Sequence, residues 1–161
     1  MHCHVCVAGV RKAEDFAAWQ LAEAFKSEVF TLLRGSPEAM RDFRFRDQLK
    51  DSASGISKHI TEGFVRFGPL DFCRFLDYAL GSLREAERWV HDGVEFGYFP
   101  EQKCRAFWFA KRCYTATLRL KHSQQRYAAR LRREGPRATA KKDGKDQVPR
   151  TRRTPRTSRT D

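Results

Sequence analysis

The sequence predicts an all-α protein: an antiparallel up-down four-helix bundle over residues 14–134, preceded by a disordered N-terminal segment (1–13) and followed by a disordered basic C-terminal tail (135–161). Three observations carry this. Apolar residues recur at steps of three and four in four separate stretches, the spacing that buries one face of a helix. Three of the stretches begin alike, with Pro37 and Glu38 after Ser36, Pro69 and Asp71 after Gly68, and Pro100 followed by Glu101. Proline at the first helical position loses no bonded amide, and an acid there opposes the helix dipole. No β-branched run of period two with a hairpin turn occurs, and short connections between long helices favour antiparallel neighbours.

Ala18, Ala22, Phe25, Val29 and Leu32 predict a first helix over 14–33, with Glu14 and Asp15 at its start. Leu49, Ala53, Ile56, Ile60 and Gly63 predict a second over 38–64, leaving through the Gly63 to Gly68 segment. The third stripe, Phe72, Leu76, Ala79, Leu83, Ala86 and Val90, alternates steps of four and three without a fault and ends near Gly97. Past Pro100, Ala106, Ala110, Cys113, Thr117 and Leu120, flanked by Phe107, Tyr114 and Leu118, predict a fourth helix continuing to Arg133. Gly81 and Ser82 lie mid-helix, where glycine costs about 1 kcal/mol against alanine, so a close approach by a neighbouring helix is expected there. From Gly135 onward the chain is Pro, Thr, Lys and Arg with almost no apolar residue, too little to offset the entropy of ordering.

A chain of 161 residues is long enough for one domain with a real core. Its 40% apolar and 32% charged residues exclude a wholly disordered polymer, and thirteen Phe against two Met point to aromatic packing between elements. No run approaches the roughly 18 apolar residues of a membrane span, and Val5 to Val10 is too short for a signal-peptide core, so a cytoplasmic protein without membrane contact is expected. Five cysteines at irregular spacing predict no disulfide framework; Cys73, Cys104 and Cys113 sit on or beside apolar stripes as small hydrophobes.

The most informative feature is charge. The net charge is +12, and between Gln102 and Arg133 there are ten basic residues and no acidic one. Arg105, Arg112, Arg119, Arg126 and Arg133 recur every seven residues, away from the Ala110, Cys113 and Thr117 stripe, and make a positive ridge. Like charges one turn apart destabilise a helix by roughly 0.2–0.5 kcal/mol per pair, so something anionic is expected to compensate. One candidate is nucleic acid, held by Arg105, Trp108, Lys111, Arg112, Arg119, Arg126, Arg130 and Arg133, with Trp108 available for base stacking. The other is the set of acids Asp77, Glu85 and Glu87 on the third helix, or those of an adjacent subunit, with Trp108 in the interface. The tail adds nine basic residues against Asp143, Asp146 and Asp161, and such arms bind phosphate by counterion release without reading sequence.

Catalytic residues, cofactor, metal and small-molecule substrate are not expected. His2, Cys3, His4 and Cys6 offer four soft ligands in five residues, but a frayed terminus lacks the surrounding groups that orient metal ligands. A di-iron bundle needs two Glu-x-x-His pairs, and none occurs. His59 and Glu62 lie three apart without a nucleophile or second base, the pattern of a helix-end hydrogen bond.

Trp19-Gln20, Asp47-Gln48-Leu49, Ile60-Thr61-Glu62-Gly63, Phe72-x-x-Phe75-Leu76 and Gly81-Ser82-Leu83-x-Glu85 together resemble the four-helix bundle proteins encoded in 23S ribosomal RNA intervening sequences, over about 16–124. Where that family carries Ser-Ile-Pro-Ser-Asn, this chain reads Gly55-Ile56-Ser57-Lys58-His59. A role supported by that segment is lost or altered here. The resemblance implies a homopentamer with no known catalytic activity; a distant branch, the accessory variability proteins of diversity-generating retroelements, binds a reverse transcriptase and nucleic acid. The expected function is therefore a non-enzymatic homo-oligomer that binds RNA or DNA weakly and without sequence specificity. The alternative is a structural interaction module, such as a retroelement accessory protein binding a reverse transcriptase, with Trp89 and Trp108 exposed and cementing the ring.

Overall fold

The computed structural model describes residues 10–66, 68–100 and 105–134, and every regular element in them is helical. A 3-10 turn, Ala13–Asp15, precedes α1 (Ala17–Arg34), the short α2 (Pro37–Arg41), α3 (Phe43–Phe64), α4 (Pro69–Glu95) and α5 (Arg105–Glu134). Residues 101–104, where the fourth helix was expected to start, and the tail 135–161 lie outside the described residues.

Two boundaries depart from the expected ones. The first helix starts at Ala17 because the Asp15 carboxylate accepts from the amides of Arg11 (2.9 Å) and Lys12 (3.1 Å), closing a separate turn. Those two backbone bonds hold Asp15 below the usual carboxylate range. Phe16 then runs extended and sets its ring against Phe64 and Phe72, at 5.6 and 5.8 Å. The same turn draws in part of the segment expected to be disordered: Val10 packs on the core and Ala13 is buried. Residues 1–9 are outside the described set.

The predicted second helix is broken at Asp42. Ser36 caps α2, its hydroxyl accepting from the Ala39 amide (3.2 Å), and Asp42 then caps α3 by accepting from the Phe45 amide (3.0 Å). The other Asp42 oxygen accepts from the Tyr98 hydroxyl (3.3 Å), tying the break to the far end of α4. That end closes as a Schellman turn: Tyr98 N–H donates to Gly93 O, Gly97 N–H to Val94 O, and Gly97 takes φ +75°, which only glycine adopts without strain.

The predicted stripes are the core. Leu49, Ala53, Ile56 and Ile60 of α3 and all six stripe residues of α4 are buried, as are Ala106, Ala110, Cys113, Thr117 and Leu120 of α5. On α1 the last stripe position is Leu33, with Leu32 only half-buried. Each large apolar side chain so buried contributes roughly 1.5–3 kcal/mol. Contacts between consecutive long helices run in opposite senses: Trp19 and Glu23 of α1 meet Thr61 and Ser57 of α3, His59 and Phe45 of α3 meet Tyr78 and Trp89 of α4, and Arg84 and His91 of α4 meet Tyr114 and Phe107 of α5. The α5 helix returns to α1, where Cys113 Sγ donates to Ala18 O at 3.8 Å.

One polar joint crosses α1 and α3. Glu23 Oε1 accepts from Ser57 Oγ (2.5 Å) and from Lys26 Nζ (2.7 Å). Burial raises the Glu23 pKa, but the bonds from Lys26 and Ser57 outweigh it and leave it below 4.5. A depressed folded-state pKa means stability that is present above the unfolded value of 4.5 and lost as pH falls through the folded one. Urea denaturation of Glu23→Gln should therefore show a deficit at pH 7 that narrows as pH falls below 4.5; a deficit independent of pH would remove the charge from the explanation.

Candidate nucleic-acid interface

Thirty residues of α5 alternate a buried stripe with a basic surface: Arg105, Lys111, Arg112, Arg119, Arg126, Arg130 and Arg133 are all exposed, and Trp108 is 53% exposed. A straight helix drifts by about 20° per heptad, so residues seven apart wind slowly around α5 instead of standing in one line. The surroundings of these residues also differ along the helix. Trp108, Lys111, Arg112 and Arg119 line a groove of about 590 Å³ against Ala17 and Leu21 of α1. Arg126, Arg130 and Arg133 line a separate concavity with Ala129 and Glu134 near the end of α5. The eight predicted residues are thus split between two places, and Arg105 joins neither.

Aromatic contacts divide them further. The Arg112 guanidinium lies over the Trp108 ring, 4.4 Å from its centroid, whereas Arg105 lies over Phe109 at 5.7 Å. Trp108 also meets Phe109 edge-on at 4.8 Å. A cation over an aromatic face at this range is attracted by the ring quadrupole, which pre-orders Arg112.

Acids compensate the ridge only at its margins. Lys121 pairs with Asp77 of α4 (2.5 Å), and Arg130 with Glu134 of its own helix (2.7 Å), which raises the Arg130 pKa. Glu87 pairs with Arg84 on α4, and Glu85 faces the α3–α4 groove instead. Among the described residues no carboxylate pairs with Arg105, Arg112, Arg119, Arg126 or Arg133.

A second groove, of about 390 Å³, flanks α5 on its α4 side and is lined by Arg84, Glu87, His91, Phe107, Ala110, Lys111 and Tyr114. Arg84 lies over Tyr114 at 4.3 Å, and the His91 ring stacks on Phe107 at 4.2 Å with a 35° tilt. Of this groove, sequence reasoning found only Lys111 as a site residue. Arg84 and His91 are seven apart, as are Phe107 and Tyr114, but only the antiparallel register of α4 against α5 matches the two pairs.

A family model described as 23S rRNA-intervening sequence protein matches residues 14–110, more than half of the chain. The chain belongs to that family. A search of curated proteins finds no match. The match ends at Ala110, so the basic portion of α5 from Lys111 to Glu134 lies beyond it in this 23S rRNA-intervening sequence protein.

His59 and Glu62 do not bond: Glu62 pairs with Arg66 (2.9 Å), while His59 faces Tyr78 and its Nδ1 is buried without a partner. Cys73 and Cys113 are buried, and burial pushes the Cys113 thiol up to about 11, leaving little thiolate near neutral pH. Cys104 and the His2 to Cys6 cluster lie outside the described residues. Among the described residues no three His, Cys, Asp or Glu side chains gather to hold a metal, and no helix is long and apolar enough to cross a membrane. Trp89, expected on the surface, is half-buried with its ring edge-on to Phe45 at 5.7 Å.

Proposed function

We propose that this family member is a non-enzymatic, self-associating up-down four-helix bundle that binds RNA or DNA weakly and without sequence specificity through α5. The observation that carries the reading is the groove between α1 and α5, where Lys111, Arg112 and Arg119 stand, without acidic partners among the described residues, beside a half-exposed Trp108. Phosphate is the anion that such a row of cations neutralises, and release of counterions supplies the affinity. Self-association is read from large apolar side chains left on the surface, Phe43 at 67% and Phe96 at 58% exposure, and from Gly81, which has open space around it. The homopentamer that the family resemblance implies would cover these side chains. None of these groups forms a nucleophile with a base, or an acid pair, so catalysis has no part in the reading.

The test is titration of labelled RNA and DNA oligonucleotides at 50 and 200 mM salt, with the full chain, a chain ending at Glu134, and Arg112→Glu/Arg119→Glu. Charge reversal at both positions should weaken binding roughly tenfold or more at the lower salt and reduce the salt slope by about two. Affinity untouched by the reversal, or confined to the tail, would sink the groove as the binding surface.

A further inference from the structure

The geometry points to a single-stranded ligand that crosses α5, from the α1 groove to the α4 groove over Lys111, and is held by base stacking as well as by phosphate contacts. This rests on the nucleic-acid reading above and specifies its ligand. Lys111 lines both grooves, so the two are the flanks of one continuous surface. Each flank already holds planar groups stacked in pairs: Arg112 over Trp108 at 4.4 Å on one side, Arg84 over Tyr114 at 4.3 Å and His91 on Phe107 at 4.2 Å on the other. A base unstacked from its neighbours can extend such pairs, on an aromatic face or on a guanidinium plane. A duplex keeps its base faces stacked inside and presents phosphate, sugar and base edges to a convex helix, so it offers Trp108 no base face to stack on.

Charge complementarity selects a polyanion here. Arg84 is neutralised by Glu87 at 3.0 Å, which makes it a stacking group more than a phosphate contact. Among the described residues Lys111, Arg112 and Arg119, spread along about 12 Å of helix axis, pair with no carboxylate. Three such contacts give a single strand a salt slope near −2, a loss of roughly twentyfold in affinity between 50 and 200 mM salt. The distal concavity at Arg126 and Arg133 contains no ring and adds charge alone.

The experiment uses the full chain and three probes: a twelve-nucleotide oligo-dT, a matching oligo-U, and a DNA hairpin duplex of equal charge. The single strands should bind at least about tenfold more tightly than the duplex. Trp108→Ala should weaken oligo-dT binding by about five- to a hundredfold while leaving the salt slope unchanged. Trp108→Phe should restore most of the affinity, and Lys111→Ala should lower the slope by about one. Trp108 is half-exposed, so circular dichroism of its variants should match the parent. Equal affinity for duplex and single strand with Trp108→Ala neutral would overturn the stacking proposal and leave electrostatic nucleic-acid binding standing. A loss of oligomer mass with Trp108→Ala, by light scattering, would overturn it by assigning the ring to a subunit contact. Binding to none of the probes would overturn the nucleic-acid reading itself.

Discussion

Phe45→Ala is expected to destabilise the fold by about 3–5 kcal/mol, the range for a phenyl ring removed from a packed core. Phe45 is 2% exposed at the start of α3, ringed by Trp89, Phe96, Tyr98 and Phe99 with centroids at 5.7, 6.2, 5.1 and 5.8 Å. Trp89, Phe96 and Tyr98 meet it edge-on, an arrangement that adds roughly 0.5–1.5 kcal/mol per pair beyond area burial. The backbone beneath cannot follow the truncation, because Asp42 holds both the Phe45 amide and the Tyr98 hydroxyl. Chemical denaturation should show a lower midpoint with an unchanged slope, the signature of lost stability in an intact two-state transition. A loss below about 1 kcal/mol would mean that the four rings close over the cavity, and the box would be looser than its geometry suggests.

Gly63→Val should cost about 3 kcal/mol, while Gly81→Ala should gain up to about 1 kcal/mol, although both glycines lie inside helices. A Cβ at Gly63 would sit 2.6 Å from Phe75 Cβ and 2.7 Å from Phe72 Cδ2. The Phe75 atom is fixed to the α4 backbone, so no rotamer change relieves the overlap and the two helices must separate. At Gly81 nothing lies within 4 Å, and alanine there recovers the entropy that glycine loses on entering a helix. Thermal melts of the two variants at dilute concentration should therefore move in opposite directions. This reverses the expectation drawn for Gly81: the close approaches of α3 to α4 among the described residues are at Gly63, at Gly93, where a Cβ would stand 2.8 Å from the Phe45 ring, and at Gly55, where it would stand 3.0 Å from Ser82 Oγ. If Gly81→Ala lowers the melting temperature only at concentrations where the protein associates, its open face is a contact between copies.

The helices and their buried faces were legible because each depends on chemistry within one turn or two. Stripe spacing, proline at a first position and acid beside it act over three or four residues, and every stripe position of α4 proved buried. The positive ridge was legible for the same reason, since seven-residue spacing places side chains on one side of a helix. What that spacing could not show was which neighbours the ridge meets: Arg112 and Arg119 share a groove with α1, whereas Arg126 and Arg133 line a concavity of α5 alone. The break at Asp42 was also local in cause, yet it was hidden by helical residues on both sides; Asp42 spaced three before Phe45 was its signal. The rest was decided by tertiary structure. Which glycine is crowded depends on the crossing of α3 with α4, and the second groove exists because antiparallel register brings Arg84 to Tyr114 and His91 to Phe107. By itself, then, the sequence determined the helices, the faces they bury and the sign of the surface charge, since these follow from short-range periodicity and composition. The placement of rings, cations and acids from different helices against one another was left to packing, because contacts between residues on different helices, such as His91 with Phe107 and Arg84 with Tyr114, leave no periodic trace along the chain.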